Sequence, residues 1–222
     1  MEVVALLRSI EEMKRTGWAK FHVGGNEAEI VEVIKGIGAQ LGPFARGRTK
    51  SVAEVLLPQE RHNAHPRSLS ARFGTGQLPF HAELSHRSKP CRYLVLGCVD
   101  PGTSISATLL IDWHRLGLTE QEVELLESAP VLVRTGRRSF YSTMLPRSHE
   151  YLRFDPGCIQ AVDARGNVAL SILEERIGSA MPYRHDWRKG DILLIDNWRV
   201  LHGREATEMN TNRKLARVLI DG

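Results

Sequence analysis

The sequence predicts a mainly β fold with flanking helices, organised as a two-sheet jelly roll (a double-stranded β-helix). Two stretches near the N-terminus repeat apolar residues at helical spacing. Beyond residue 50 most apolar runs are short and punctuated by Gly, Pro, Asp and Asn. Those strands do not alternate regularly with helices, which favours two packed β-sheets over parallel βα units. With 222 residues and 42% hydrophobic content, the chain can build the core of one full-sized domain. No repeat or linker divides it, so residues 1–222 are expected to form a single domain whose N-terminal helical part ends near residue 45.

Residues 2–16 place Val3, Val4, Leu6, Leu7, Ile10 and Met13 on one helical face, and Gly17 stops the run. Trp18 to Val23 alternates as a strand, closed by Gly24-Gly25; His22 there is expected to be structural. Asn26 is placed to cap a second helix that buries Ile30, Val33, Ile34, Ile37 and Leu41. Residues 42–76 are rich in Arg, Gly, Ser and Pro, with one apolar strand over 51–57. The segment 58–76, carrying His62, His65, Arg67, Ser68, Ser70 and Arg72, is long for an internal connection and is expected to be a lid-like loop.

Strands over 92–99 and 104–111, separated by Asp100-Pro101-Gly102, predict an antiparallel hairpin. Thr119-Glu120-Gln121-Glu122 has the form of a capping box and starts a helix reaching about Ser128. Strands follow over 131–134, 139–145 and 150–154, then an amphipathic helix from Asp163 to Gly178. Four more strands, over 182–187, 191–195, 199–203 and 213–220, complete the chain.

Composition narrows the function. Cys91, Cys98 and Cys158 are too few and too irregular for a disulfide framework or a CxxC zinc site, and are expected to be reduced thiols. No apolar run approaches the ~18 residues of a membrane span, and the N-terminus lacks the pattern of a signal peptide. A cytoplasmic protein is therefore expected. The pI of 9.1 and net charge of +4 come from scattered basic residues without a nucleic-acid-binding motif, so no nucleic-acid partner is expected.

The chemistry gathers around Gly74-Thr75-Gly76-Gln77-Leu78-Pro79-Phe80-His81-Ala82-Glu83, a glycine-spaced turn leading into an extended run. In a strand, His81 and Glu83 project an imidazole and a carboxylate to the same face. Iron(II), manganese and zinc all accept that pair. By chance a His-x-acid arises about once in such a sequence, so the pair alone is weak. The far end adds weight: His202 lies on a strand after the polar turn Asp196-Asn197, and Arg213 and Arg217 follow in Arg-Lys-Leu-Ala-Arg-Val-Leu-Ile. On that last strand Arg213, Leu215, Arg217 and Leu219 share one face, and arginines among apolar side chains need anionic partners.

This combination resembles the taurine-dioxygenase-like (clavaminate-synthase-like) iron(II)/2-oxoglutarate oxygenases over roughly residues 74–220. In that family a His-x-Asp/Glu and a distal His hold iron, and an Arg-x-x-x-Arg run lies beyond the distal His. Glu83 departs from the aspartate of taurine dioxygenase and matches the clavaminate-synthase-type carboxylate; any carboxylate here argues against the halogenase branch. The resemblance implies a cupin-like jelly roll that holds Fe(II) on His81, Glu83 and His202 as the catalytic centre. It implies 2-oxoglutarate as co-substrate, its C5 carboxylate held by Arg213 with Thr108, which stands 27 residues after His81. Arg217 corresponds to a contact with the metal-proximal end of 2-oxoglutarate or with an anionic substrate group, and which arginine does which stays open.

The implied reaction consumes O2, releases succinate and CO2, and oxidises an unactivated C–H bond, most simply by hydroxylation. A small amino-acid-like or anionic metabolite is the implied substrate, and Gln77 a candidate polar substrate contact. Trp113, Trp198 and Phe80 are either pocket walls or core; Arg153 and Arg204 either meet an acidic substrate or are solvated. The alternative is a jelly-roll hydrolase, isomerase or small-molecule-binding protein that uses the same metal ligands without 2-oxoglutarate. The basic strand beyond His202 separates the two, because such a site does not require it.

Overall fold

The computed structural model describes the chain apart from residues 1–2, 48–50, 67, 104–105, 135–137 and 210, and the backbone alone of residues 3–5. The expected roles of Val3, Val4 and Arg67, and the start of the strand predicted over 104–111, lie outside the described residues or side chains.

Helix α1 (Val3–Thr16) ends where Gly17 turns the chain at φ +94°, and strand β1 (Trp18–His22) follows. Asn26 caps α2 (Glu27–Leu41) in a full capping box with Glu29. Strand β2 (Ala53–Leu56) comes next. The expected lid-like loop then contains a 3-10 turn over Arg61–Asn63 and helix α3 (Leu69–Phe73), capped by the Ser68 side chain. Beyond it run β3 (Leu78–His81), β4 (Tyr93–Asp100), β5 (Thr108–Asp112), α4 (Glu120–Ser128), β6 (Val131–Val133), β7 (Phe140–Ser142) and β8 (Ile159–Ala161). Helix α5 (Ala164–Ser179), β9 (Tyr183–His185), β10 (Asp191–Asp196), β11 (Val200–Arg204) and β12 (Lys214–Ile220) close the chain.

The strands form the expected two facing sheets, ordered β1-β10-β4-β12-β2 and β3-β11-β5-β9, with antiparallel pairing throughout and a small third sheet, β7-β6-β8. Between the two main sheets lie Leu94, Leu96, Leu110, Leu193, Ile195, Val200, Leu215 and Leu219. Helices α1 and α2 cover the outer face of the five-stranded sheet, where Ile30, Ile34 and Ile37 pack on Val95, Ile192, Leu194 and Val218. Being buried on both faces, β4 and β10 read as continuous apolar runs rather than alternating ones. Gly97 permits this closeness, since a Cβ there would lie 2.7 Å from Ile30. On the other side, α4, α5 and the small sheet cover Ile111 and Leu201. Among the described residues no helix is long and apolar enough to cross a membrane.

Three expectations are corrected. The strands around Asp100-Pro101-Gly102 are not a hairpin: β4 pairs with β10 and β12, whereas β5 belongs to the opposite sheet with β11 and β9. The turn is real, with Gly102 at φ +78° donating to Asp100, but it carries the chain from one sheet to the other. Residues 150–154 form no strand; their backbone bonds go singly to Met144, Trp198 and Ala82, and β8 lies further on. Finally, β3 stops at His81, leaving Glu83 in a turn just beyond it, before Leu84 at φ +58°.

Candidate active site

The two sheets open at one end into a cavity of about 260 Å³ lined by His81, Glu83, Thr108, His202, Arg213 and Arg217. His81 and His202 are direct cross-strand neighbours on β3 and β11, so their rings sit 4.2 Å apart between centroids. The turn after β3 brings Glu83 to the same place, with its Oε2 3.9 Å from His202 Nε2. One potential ligand atom from each of the three lies within 4.8 Å of the others.

The protonation pattern suits a cation between them. His81 Nδ1 lies 3.0 Å from the Pro79 carbonyl, which can only accept, so Nδ1 donates there and Nε2 is the ring nitrogen left to face the cavity. Burial pushes His202 down to about 3, helped by His81 and Arg217 and opposed by Glu83, so it is a neutral imidazole at pH 7. Two imidazoles and a carboxylate form the donor set that iron(II) takes with open positions left over.

The two arginines differ sharply. Arg217 is opposite Glu54 of β2, and its guanidinium bonds Glu54 at 2.5 Å and Glu83 at 2.7 Å. Burial opposes its charge, but those two carboxylates outweigh burial and raise its pKa further. Arg213, 5% exposed, has no ion-pair partner among the described residues. It makes one long bond, 3.4 Å to the Ser106 carbonyl, and its Nε has no partner. Burial accordingly pulls its pKa down.

Thr108 lies beside it on the cavity wall. Its Oγ1 accepts from Trp187 Nε1 at 2.9 Å, and since indole only donates, the hydroxyl proton remains available to an acceptor in the cavity.

Gln77, Arg153 and Arg204 are placed differently from expectation. Gln77 is exposed and not among the cavity-lining residues, because it precedes β3 on the outer turn. Arg204 does line the cavity but is spent on the Gly74, Gly76 and Glu205 carbonyls, fastening the glycine-spaced turn; burial and the nearby Arg213 lower it to about 10. Arg153 lies outside the cavity lining and bonds the Ser85, Arg87 and Ser88 carbonyls. Trp113 and Trp198 are buried core residues linked by an indole-to-carbonyl bond of 2.9 Å, and Phe80 packs on the same side. His62 and His65 stay exposed.

Sequence reasoning missed several wall residues, among them Asp155 and His86. No local pattern marks them, because the wall is assembled from many separate segments of the chain.

The chain matches the family model described as taurine catabolism dioxygenase TauD, TfdA family over residues 106–219. That span contains Thr108, His202, Arg213 and Arg217, while the His81–Glu83 pair precedes it. Among solved structures, an asparagine oxygenase with Fe(II), 2S,3S-3-hydroxyasparagine and succinate superposes with a TM-score of 0.81 at 17% identity, covering 98% of this chain and 79% of that one. The non-heme iron oxygenase OrfP with Fe, succinate and (3S)-hydroxy-L-Arg gives 0.78 at 18% identity, covering 100% and 81%. PvcB, an Fe, alpha-ketoglutarate dependent oxygenase from an isonitrile synthetic pathway, gives 0.71 at 20%, covering 98% and 80%. At these identities the likeness shows the fold. No curated protein matches the chain by sequence.

Proposed function

The chain belongs to the TauD, TfdA family of taurine catabolism dioxygenases, and from that premise we propose that it is a non-haem iron(II)- and 2-oxoglutarate-dependent dioxygenase that hydroxylates an unactivated C–H bond of a small amino-acid-like or anionic metabolite. Residues 1–222 act as one catalytic domain. His81, Glu83 and His202 hold the metal through Nε2 of each imidazole and one carboxylate oxygen. The iron, when bound, supplies dioxygen activation coupled to oxidative decarboxylation of 2-oxoglutarate to succinate and CO2.

The observation that carries this reading is Arg213, a buried guanidinium without an anion, on the wall of the cavity that holds the two imidazoles and the carboxylate. A dicarboxylate co-substrate meets both needs: one end at the metal, the other on Arg213. An arginine fork suits that carboxylate through two bonds, with the Thr108 hydroxyl as a third donor. This assigns the C5 carboxylate to Arg213 rather than to Arg217, whose charge is already met by Glu54 and Glu83. A metal-dependent hydrolase, isomerase or binding protein would leave Arg213 unexplained.

The substrate class is supported by the neighbours in fold, which carry hydroxylated asparagine and arginine. The 58–76 segment lines the cavity through Gln59, Ser68, Leu69 and Ser70 and is suited to close over a bound substrate. Incubating the iron-loaded protein with 2-oxoglutarate in air against a panel of amino acids and their derivatives tests the activity. Succinate release stimulated by one of them, with a product heavier by one oxygen atom, is expected. No 2-oxoglutarate turnover with or without any candidate, from protein shown to bind iron, would contradict it.

A further inference from the structure

Glu83 poses a structural problem. It stands in a turn beyond the end of β3, and the next residue, Leu84, takes a positive φ. A carboxylate meant to hold a metal has to be held within a fraction of an ångström, and its backbone here lies outside the ladder that fixes His81.

Asn197 brackets that backbone. It lies in the turn between β10 and β11, 1% exposed and 114 residues further along the chain. Its Oδ1 accepts from the Glu83 N–H at 2.7 Å, and its Nδ2 donates back to the Glu83 carbonyl at 3.1 Å. That two-bond exchange is what a residue on a neighbouring antiparallel strand would give. The second Nδ2 proton goes to the Cys91 carbonyl at 2.7 Å, and the Asn197 N–H bonds Arg92 at 2.7 Å. The side-chain amide thus divides its bonds between the backbones of Glu83 and Cys91.

The same turn leads directly into β11, which carries His202. One turn between the two sheets therefore braces the second ligand, and the strand it leads into carries the third.

We infer that Asn197 is a positioning residue for the metal site, acting through the Glu83 backbone to hold the carboxylate at the distance set by His81 and His202. The inference rests on the proposed role of Glu83 as a ligand. Asparagine is needed because the bracket requires an acceptor and two donors on one short planar group. Aspartate has the same size and keeps the acceptor, but turns carboxylate oxygen toward the Glu83 and Cys91 carbonyls. Residues that orient a ligand in this way typically set metal affinity by about 10–100-fold.

The test uses cobalt(II) as the metal probe, titrated anaerobically into full-length protein and followed by its visible ligand-field absorption. Asn197→Asp is expected to weaken Co(II) binding by about 10–100-fold and to change the band shape, while circular dichroism keeps the β signature. In a Glu83→Ala background the same substitution is expected to add nothing, since the group it positions is gone. That non-additivity is a readout that general loss of stability would not produce.

If Glu83→Ala itself leaves Co(II) affinity unchanged, the metal reading fails. If Glu83→Ala weakens binding but Asn197→Asp leaves affinity and spectrum unchanged, or the two effects simply add, the positioning role is overturned. Should Asn197→Asp not fold, Asn197→Ser takes its place with the same expectations. Failure of both to fold would assign Asn197 to the scaffold and overturn the inference as well.

Discussion

Arg153 and Arg213 are both buried cations, and the surroundings of each say what it is for. Arg153, fully buried, lies against the turn that follows Glu83. Its guanidinium donates to the Ser85, Arg87 and Ser88 carbonyls and the Tyr151 hydroxyl, over the rings of Phe140 and Tyr151, leaving only Nε without a partner. Arg213 has a single long bond and an open cavity in front of it. A buried cation whose donors are met by the chain stabilises the fold. One whose donors are unmet lowers the stability of the empty protein and gains a partner when an anion arrives.

The largest expected effect follows from that contrast and is read in the metal-free protein. Arg153→Ala strips one buried and two part-buried carbonyls of their donors, at up to about 1–3 kcal/mol each before relaxation. A loss of about 4 kcal/mol overall is expected. Arg213→Ala removes a charge that has no partner, so its midpoint in urea should match or exceed that of the parent. Equal destabilisation by both substitutions would erase the distinction.

A smaller effect sharpens the open side. Thr108→Val removes one neutral donor to a charged group, worth about 1.5–3 kcal/mol. The apparent affinity for 2-oxoglutarate should fall by roughly one to two orders of magnitude. An unchanged affinity would confine Thr108 to its bond with Trp187.

The smallest concerns Asp112, a buried carboxylate that does have its cation. Burial alone pushes it up, but Arg199, at 2.7 and 3.1 Å, together with His114 holds it below the usual carboxylate range. A depressed folded pKa stabilises above the unfolded value of about 3.9 and is lost as pH falls below it. Removing Arg199 should therefore lower Tm near neutrality and shrink the gap between variant and parent as the solution is acidified below about pH 4. A gap that is constant with pH would mean that Arg199 acts through packing alone.

What was legible in the sequence follows the range of the forces involved. The Asn26 cap and the Thr119 capping box are local and stand as expected. Strand periodicity put Arg217 on one face of β12 with Leu215 and Leu219, and two imidazoles on strands, because alternation is enforced by the backbone itself. The His-x-Glu spacing misled in one respect: it implies a shared strand face, whereas the strand ends at His81 and a turn delivers Glu83. Asp100-Pro101-Gly102 announces a turn but carries no information on which sheet receives the next strand. Arg153 and Asn197 were unreadable for a different reason: their partners are backbone carbonyls and an amide 65–114 residues away, and backbone groups leave no mark in the sequence.

The claim that Arg213 waits for the distal carboxylate of 2-oxoglutarate is tested most directly by anaerobic titration of the iron(II) protein with 2-oxoglutarate, following the weak metal-to-ligand charge-transfer band in the visible. Truncating one member of a buried charge pair costs about 3–5 kcal/mol, and about 1.4 kcal/mol is tenfold in affinity. Arg213→Ala should thus need roughly two to three orders of magnitude more 2-oxoglutarate to reach half-saturation, with iron affinity little changed. Arg213→Lys should recover only part, since it restores the charge without the fork. If Arg213→Ala binds 2-oxoglutarate as tightly as the parent, the anion is held elsewhere and the account of this cavity is wrong.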